Sequence, residues 1–218
     1  ITTEQITTAV RDLCVRATRI LPQDVSAALD RAAGTEESPQ GRAIIQQLRD
    51  NARIAAECDM PLCQDTGLAV FFLEVGQDAH ITGGALEEAV HEGVRQGYKQ
   101  GYNRNSVLQS PIHRVNTGDN TPAVIHTRMV GGTFEKAALL AKHSLLRPLC
   151  EPNPDPDLDA LEKELLQRIN ALGIGPQGLG GRVTALAVHI ESHPCHLASL
   201  PVAVNIECHS HRHAHAVL

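Results

Sequence analysis

Apolar residues recur at helical spacing through the first third of the chain. Thr2 and Gln5 have the spacing of a capping box, and Ile6, Val10, Leu13, Ala17 and Ile20 then fall on one face. Pro22 ends that helix, Asp24 is placed to cap a second one running to Gly34, and Ser38-Pro39 opens a third towards Ala56. A compact loop, Met60 to Gly67, leads into a buried strand over Leu68 to Val75. Thr82 to Tyr102 predicts a helix whose Gly93, Gly97 and Gly101 recur every fourth residue, a spacing that lets another backbone approach one face. Loop residues fill Asn103 to Pro122, and Ala123 to Val130 predicts a strand. Helices over Phe134 to Leu149 and Leu158 to Leu172 flank a Pro-rich connection, Cys150 to Pro156, the best candidate for an internal linker. Alternation predicts two further strands, Val183 to Ile190 and Val202 to Ile206. The expected class is α/β, a mixed sheet with helices and a helical N-terminal region over about 1–57, in one domain spanning 1–218.

Composition narrows the chemistry. Of 218 residues, 42% are hydrophobic but only 2% aromatic, so the core rests on Ala, Val, Ile and Leu. The formal charge of −6 argues against a nucleic-acid partner, which needs clustered Lys and Arg. The longest apolar runs are too short to cross a bilayer. No signal peptide is visible, although the chain opens at Ile1 rather than Met, and a cytoplasmic protein is expected. In that compartment the six cysteines, Cys14, Cys58, Cys63, Cys150, Cys195 and Cys208, suggest buried small hydrophobes, metal ligands or nucleophiles, and no CxxC pair is present.

Several motifs have two readings. Gly173 to Gly178 matches GxGxxG, but it follows a helix and leads towards a strand, and Pro176 removes a donor. A helix C-cap and turn is therefore the better account than a nucleotide site. The run from Cys208 to His215 would put four histidines on one face of an extended strand, where zinc could bind; a solvated tail fits equally well. Cys63-Gln64-Asp65 joins a thiol, an amide and a carboxylate in a loop before a strand, where catalytic groups are often displayed. A buried Cys beside a turn-forming Asp gives the same pattern. Arg104-Asn105-Ser106 and Arg114 to Pro122 are dense in groups that recognise carboxylates, or that simply make Asx turns.

Four segments occur together and in order: Pro61-Leu62-Cys63-Gln64-Asp65-Thr66-Gly67, Asn116 to Ala123, Leu172 to Gly181, and Val204-Asn205-Ile206-Glu207-Cys208-His209. In this conjunction the chain resembles the iron–sulfur hydro-lyases, the class I fumarases and the α subunit of L-tartrate dehydratase, over nearly its whole length. The resemblance implies a [4Fe–4S] cluster held by three cysteines, with one iron left open to act as a Lewis acid on the substrate hydroxyl. Carried over by position, Cys63 and Cys208 are two of the ligands. Gln64 and Asp65 match substrate-contacting residues, with Asp65 able to exchange a proton, Arg104 matches a carboxylate-binding Arg, and His196 matches a His near the substrate.

One departure stands out. The family's second cluster cysteine lies in a Cys-Pro-Pro segment shortly before the helix that carries Lys136 and Lys142, and a substrate-gripping Gly-Gly-Gly-Ser loop precedes it. Here Val130 runs straight into Gly131-Gly132-Thr133. A true loss would leave the cluster one thiolate short, so the expectation is that a segment belongs between Val130 and Gly131. A carbon-to-nitrogen separation there well beyond the roughly 1.33 Å of a peptide bond would mark it. Cys58, Cys150 and Cys195 are weaker candidates for a replacement ligand.

The expected function is reversible hydration of fumarate to malate, with L-tartrate dehydration as the alternative. The resemblance also implies a β subunit carrying further catalytic residues, so this chain is expected to be inactive alone and to work in a homo- or hetero-oligomer. Two other classes compete: a zinc-dependent hydrolase built on the C-terminal histidines and Cys208, and a non-catalytic regulatory subunit.

Overall fold

The computed structural model describes residues 1–76, 78–127, 134–195, 197–198 and 200–218. The chain divides into two compact units. The first comprises Ile1–Leu21, Ala52–Met129 and Arg212–Leu218, and the second Pro22–Asn51 and Val130–His211.

In the first unit, α1 (Thr3–Arg19) begins as expected. Gln5 N–H donates to Thr2 Oγ1 at 3.2 Å while Thr2 N–H donates to Gln5 Oε1 at 2.8 Å, closing the capping box. Its buried face is Ile6, Val10, Cys14 and Thr18, whereas Ile20 lies past the helix end and is 52% exposed. Strands β1 (Val70–Leu73) and β2 (Val124–Thr127) pair in parallel, with α4 (Leu86–Gln100) between them in sequence. Both strands lie inside their expected spans. Phe71, Leu73 and Ile125 pack from the sheet onto a core of Ile6, Val10, Cys14, Ala89, Val90, Val94 and Tyr98. This α/β arrangement bears out the expected class, and the sheet among the described residues has two strands.

At Gly93 and Gly97 the glycine spacing of α4 serves the expected close approach, whereas Gly101 caps the helix end and a Cβ there would meet the Gly97 carbonyl and the Asn103 side chain. A Cβ on Gly93 would stand 2.6 Å from Val10 Cβ and 2.7 Å from the Thr7 carbonyl oxygen. One on Gly97 would stand 2.6 Å from Cys14 Cβ. Burial pushes the Cys14 thiol up to about 12, which makes it an inert core residue.

The second unit holds α2 (Gln23–Thr35), the first part of α3 (Pro39–Glu57), α5 (Phe134–His143), a 3-10 turn at Ser144–Leu146, and α6 (Pro156–Ala171). Ser38 caps α3 by accepting from Gly41 N–H at 3.2 Å. Asp24 does not cap α2: Pro22 occupies that position, and Asp24 instead accepts from the Leu149 N–H at 2.9 Å. The segment Cys150 to Pro156 is not a link between units. The two units are joined elsewhere in the chain, and the buried Asn153 donates to Glu162 Oε1 and to the Ile190 carbonyl.

The expected strands over Val183 to Ile190 and Val202 to Ile206 are not strands. In the first of these, side chains take the backbone donors that a neighbouring strand would use. Glu36 accepts from Arg182 and Val183 at 2.9 and 2.8 Å, Asn170 from Thr184 and Ala185 at 2.8 and 2.9 Å, and Glu162 from Ile190 at 2.6 Å. Val202, Val204 and Ile206 are 68%, 81% and 91% exposed, so the alternating apolar face is turned outward.

Burial opposes the charge on Glu36, but N–H donors from Arg182, Val183, Ser38 and Glu37 outweigh it and hold its carboxyl below the usual carboxylate range. The folded pKa is therefore lower than the unfolded one. The resulting stability is present above the ordinary carboxylate pKa and is lost as pH falls through the depressed value.

Two predictions follow from these packings. Gly93→Ala and Gly97→Ala each destabilise the protein by about 1–3 kcal/mol in urea unfolding, whereas Gly34→Ala, with nothing within 4 Å of its Cβ, stabilises by about 0.5–1 kcal/mol. Glu36→Ala strands several backbone donors and lowers stability at neutral pH by about 2 kcal/mol or more. The difference from the parent protein shrinks as the acid limb of a stability-versus-pH series is reached.

Candidate functional site

The loop carrying Cys63, Gln64 and Asp65 follows α3 and precedes β1, in the first unit. Cys63 is half-buried, while Gln64 and Asp65 are exposed. Three consecutive carbonyls of this loop accept hydrogen bonds from side chains far away in sequence. Arg212 Nη1 donates to the Asp65 carbonyl at 2.7 Å. The Tyr98 hydroxyl lies 3.3 Å from the Thr66 carbonyl and 3.1 Å from that of Gly67. Asn120 Nδ2 also donates to the Gly67 carbonyl, at 3.2 Å. Burial pushes the Tyr98 phenol upward from its ordinary value, further from ionisation.

Asn120 is fully buried and works in both directions. Its Oδ1 accepts from the N–H groups of Ser106 and Val107 at 2.6 and 3.2 Å. In this way one residue of the Asn116 to Ala123 segment holds both the Cys63 loop and the Arg104-Asn105-Ser106 turn. Asn116 Nδ2 adds a bond to the Asn105 carbonyl at 2.9 Å, and Thr66 Oγ1 one to the Arg104 carbonyl at 2.8 Å.

Asp65 is thereby fixed at both backbone and side chain. Its Oδ1 accepts from Gly67 N–H at 3.1 Å and from Ser106 Oγ at 3.3 Å, while Oδ2 has no hydrogen-bond partner among the described residues. Arg104 is exposed, and its guanidinium makes no ion pair among the described residues. A carboxylate with one open oxygen can exchange a proton, and an exposed guanidinium with no ion pair among the described residues can bind an anion.

The other two matched segments meet within the second unit. Gln177 Nε2 and His209 Nδ1 are 3.3 Å apart, and Lys142 Nζ donates to Asn205 Oδ1 at 3.2 Å. Gly173 adopts a left-handed conformation, φ +67°, after α6, which is the C-cap geometry expected of the glycine-rich run. Cys208 is exposed. The histidine tail forms no strand. His211 is buried with Nδ1 3.3 Å from Glu207 Oε2. Burial opposes its charge, but this carboxylate outweighs the burial and raises its pKa.

Cys63 thus belongs to one unit and Cys208 to the other. His196 and the Val130–Gly131 junction lie outside the described residues. Among the described residues none of the six cysteines is in a disulfide, and no three His, Cys, Asp or Glu side chains are arranged to hold a metal ion. The thiol set carried over by resemblance is therefore one short of the three that a cluster with an open iron requires. The sequence left three residues without a role: Tyr98, Asn120 and Arg212. Arg212 carried one signal, a lone guanidinium among the histidines four places after Cys208.

Comparison with known proteins fits this grouping. The fumarate hydratase (fumerase) family model matches residues 7–130 and 129–217. The chain belongs to that family, the class I iron–sulfur hydro-lyases. A Methanocaldococcus jannaschii protein provisionally named L(+)-tartrate dehydratase subunit alpha is 31% identical, with 96% of each chain covered. The L(+)-tartrate dehydratase subunits alpha of Escherichia coli K12 and Shigella sonnei are each 27% identical over 95% of this chain and 89% of theirs. These alignments run over 274 positions, more than the 218 residues present, so the relatives have residues with no counterpart here.

The Asn120 connections predict that Asn120→Ala destabilises the protein by about 2–4 kcal/mol, because two backbone N–H groups lose their acceptor and the Gly67 carbonyl loses one of its two side-chain donors. Thermal unfolding measures this. A change under 0.5 kcal/mol would contradict the role given to Asn120.

Proposed function

We propose that this chain is the α subunit of an iron–sulfur hydro-lyase that interconverts fumarate and malate in the cytoplasm. The observation that carries the reading is the placement of Asp65. Its carboxylate is oriented through Oδ1 and open at Oδ2, and Asn120, from a second of the family's segments, holds the Gly67 carbonyl of the same loop within one unit. In this reading Arg104 binds a substrate carboxylate, Gln64 contacts the substrate, and Asp65 exchanges a proton with the departing or attacking oxygen. His196 is assigned to the same site by resemblance.

Cys63 and Cys208 are proposed as cluster ligands, with the third in a segment belonging between Val130 and Gly131. Support comes from the family match, which breaks at residues 129–130, and from the surplus positions in the relatives. When bound, the cluster supplies Lewis acidity towards the substrate hydroxyl. A β-type partner is proposed to bring the base that removes the carbon-bound proton. A second reading, dehydration of L-tartrate, is favoured by the names of the relatives.

The test uses protein prepared anaerobically, with a relative's segment restored between Val130 and Gly131 and paired with a β-type subunit. Turnover of malate and about four iron and four sulfide per α chain are expected, and the 218-residue chain alone should show no turnover. Faster reaction with L-tartrate than with malate selects the second reading. Zinc without iron or sulfide refutes the cluster, and robust activity of the isolated chain refutes the split site.

A further inference from the structure

We propose that Arg212 is a positioning residue for Asp65: by donating from Nη1 to the Asp65 carbonyl, it sets the peptide from which the reacting carboxylate projects. The inference rests on the proposed role of Asp65 and assigns a function to a residue that none of the matched motifs includes.

The geometry gives Arg212 this task. Its bond to the Asp65 carbonyl, 2.7 Å, joins residues 147 apart in sequence, and it is the shortest of the side-chain bonds to the carbonyls of residues 65–67. The same guanidinium lies against the loop, with Nη2 3.8 Å from where a Cβ on Gly67 would stand. Tyr98 and Asn120 hold the carbonyls of Thr66 and Gly67, so without Arg212 the clamp ends one peptide short of the reacting residue. A loop has no ladder to fix its peptide planes, and a charged donor on a carbonyl is among the stronger substitutes for one. Reaction rates are steep in such placement, since a misplacement of about 1 Å can cost roughly a hundredfold.

Arg212→Ala and Arg212→Lys test this by two independent readings. The first is amide hydrogen exchange on the 218-residue chain. The N–H of Gly67 is bonded to Asp65 Oδ1 and that of Leu62 to the Thr18 carbonyl. Arg212→Ala is expected to speed exchange at Gly67 by about tenfold and to leave Leu62 within about twofold. Arg212→Lys, which keeps one charged donor, should restore most of the protection. The second reading is steady-state kinetics on the reconstituted two-subunit enzyme. Arg212→Ala should lower kcat by roughly 10- to 100-fold with KM changed less than about threefold, and Arg212→Lys should recover part of kcat.

Unchanged exchange at Gly67 overturns the proposal. So does a large rise in KM at constant kcat, which would mark Arg212 as a substrate ligand. Faster exchange at both Gly67 and Leu62 points to general loosening and also overturns it. If Arg212→Ala fails to fold, Arg212→Lys decides alone: parent-like exchange and kcat within about tenfold of the parent support the clamp, and full loss of Gly67 protection rejects it. Because hydrogen exchange needs no diacid, cluster or partner, it reads the clamp even where the assay shows that neither malate nor tartrate is turned over.

Discussion

The close approach of α1 and α4 is the constraint on which the first unit depends. Two glycines one helical turn apart, Gly93 and Gly97, let the α4 backbone touch Val10, Cys14 and the Thr7 and Arg11 carbonyls of α1. That depth fixes where the next residue, Tyr98, must stand. Its ring is buried in the shared core and its hydroxyl emerges under the Cys63–Gly67 loop. Packing and site are therefore one structure. A core residue supplies the donor that orders a loop with no strand partner of its own.

The second unit solves a related problem with carboxylates. The stretch from Arg182 to Ile190 is rich in residues that favour strands, yet it has no neighbouring strand among the described residues. Glu36, just beyond the end of α2, and Glu162 and Asn170 on α6 take its N–H groups one or two at a time. A buried carboxylate is tolerable only when its charge is met by several donors, and Glu36 and Glu162 each have them. Sequence alternation marks where a strand could form. It carries no information about whether the backbone donors find a strand or a glutamate.

That difference explains what was legible. Helix starts at Thr2 and Ser38 and the C-cap at Gly173 depend on residues close in sequence, and the glycine face of α4 and the two short strands show in local spacing and apolar runs although their packing partners lie far along the chain. The misplaced cap at Asp24 and the supposed linker at Cys150 to Pro156 failed because distant partners, Leu149 for one and Glu162 and Ile190 for the other, claimed those polar groups. The proposed site rests, in the sequence, on short polar motifs: Gln64, Asp65 and the Asn116 to Ala123 segment. Tyr98 and Arg212 were not legible there, since neither residue type is unusual and each acts across a long separation, up to 147 residues.

The same long separations explain how Asp65 can be both exposed and ordered. An exposed carboxylate ordinarily samples several rotamers, and ordering it on substrate binding would take free energy from the reaction. Here the peptides on its C-terminal side are held by Arg212, Tyr98 and Asn120, and Oδ1 is held by Gly67 and Ser106. Only Oδ2 is left without a partner among the described residues, available for the proton exchange proposed for it. Orientation is thus settled during folding by groups that need not touch the substrate, and a preorganised carboxylate requires little rearrangement when a proton is exchanged. Such division of labour also accounts for the density of Asn, Thr and Gly around the loop. Those residues satisfy backbone groups locally and leave the few charged side chains, Asp65 and Arg104, facing solvent where a small dianion could reach them.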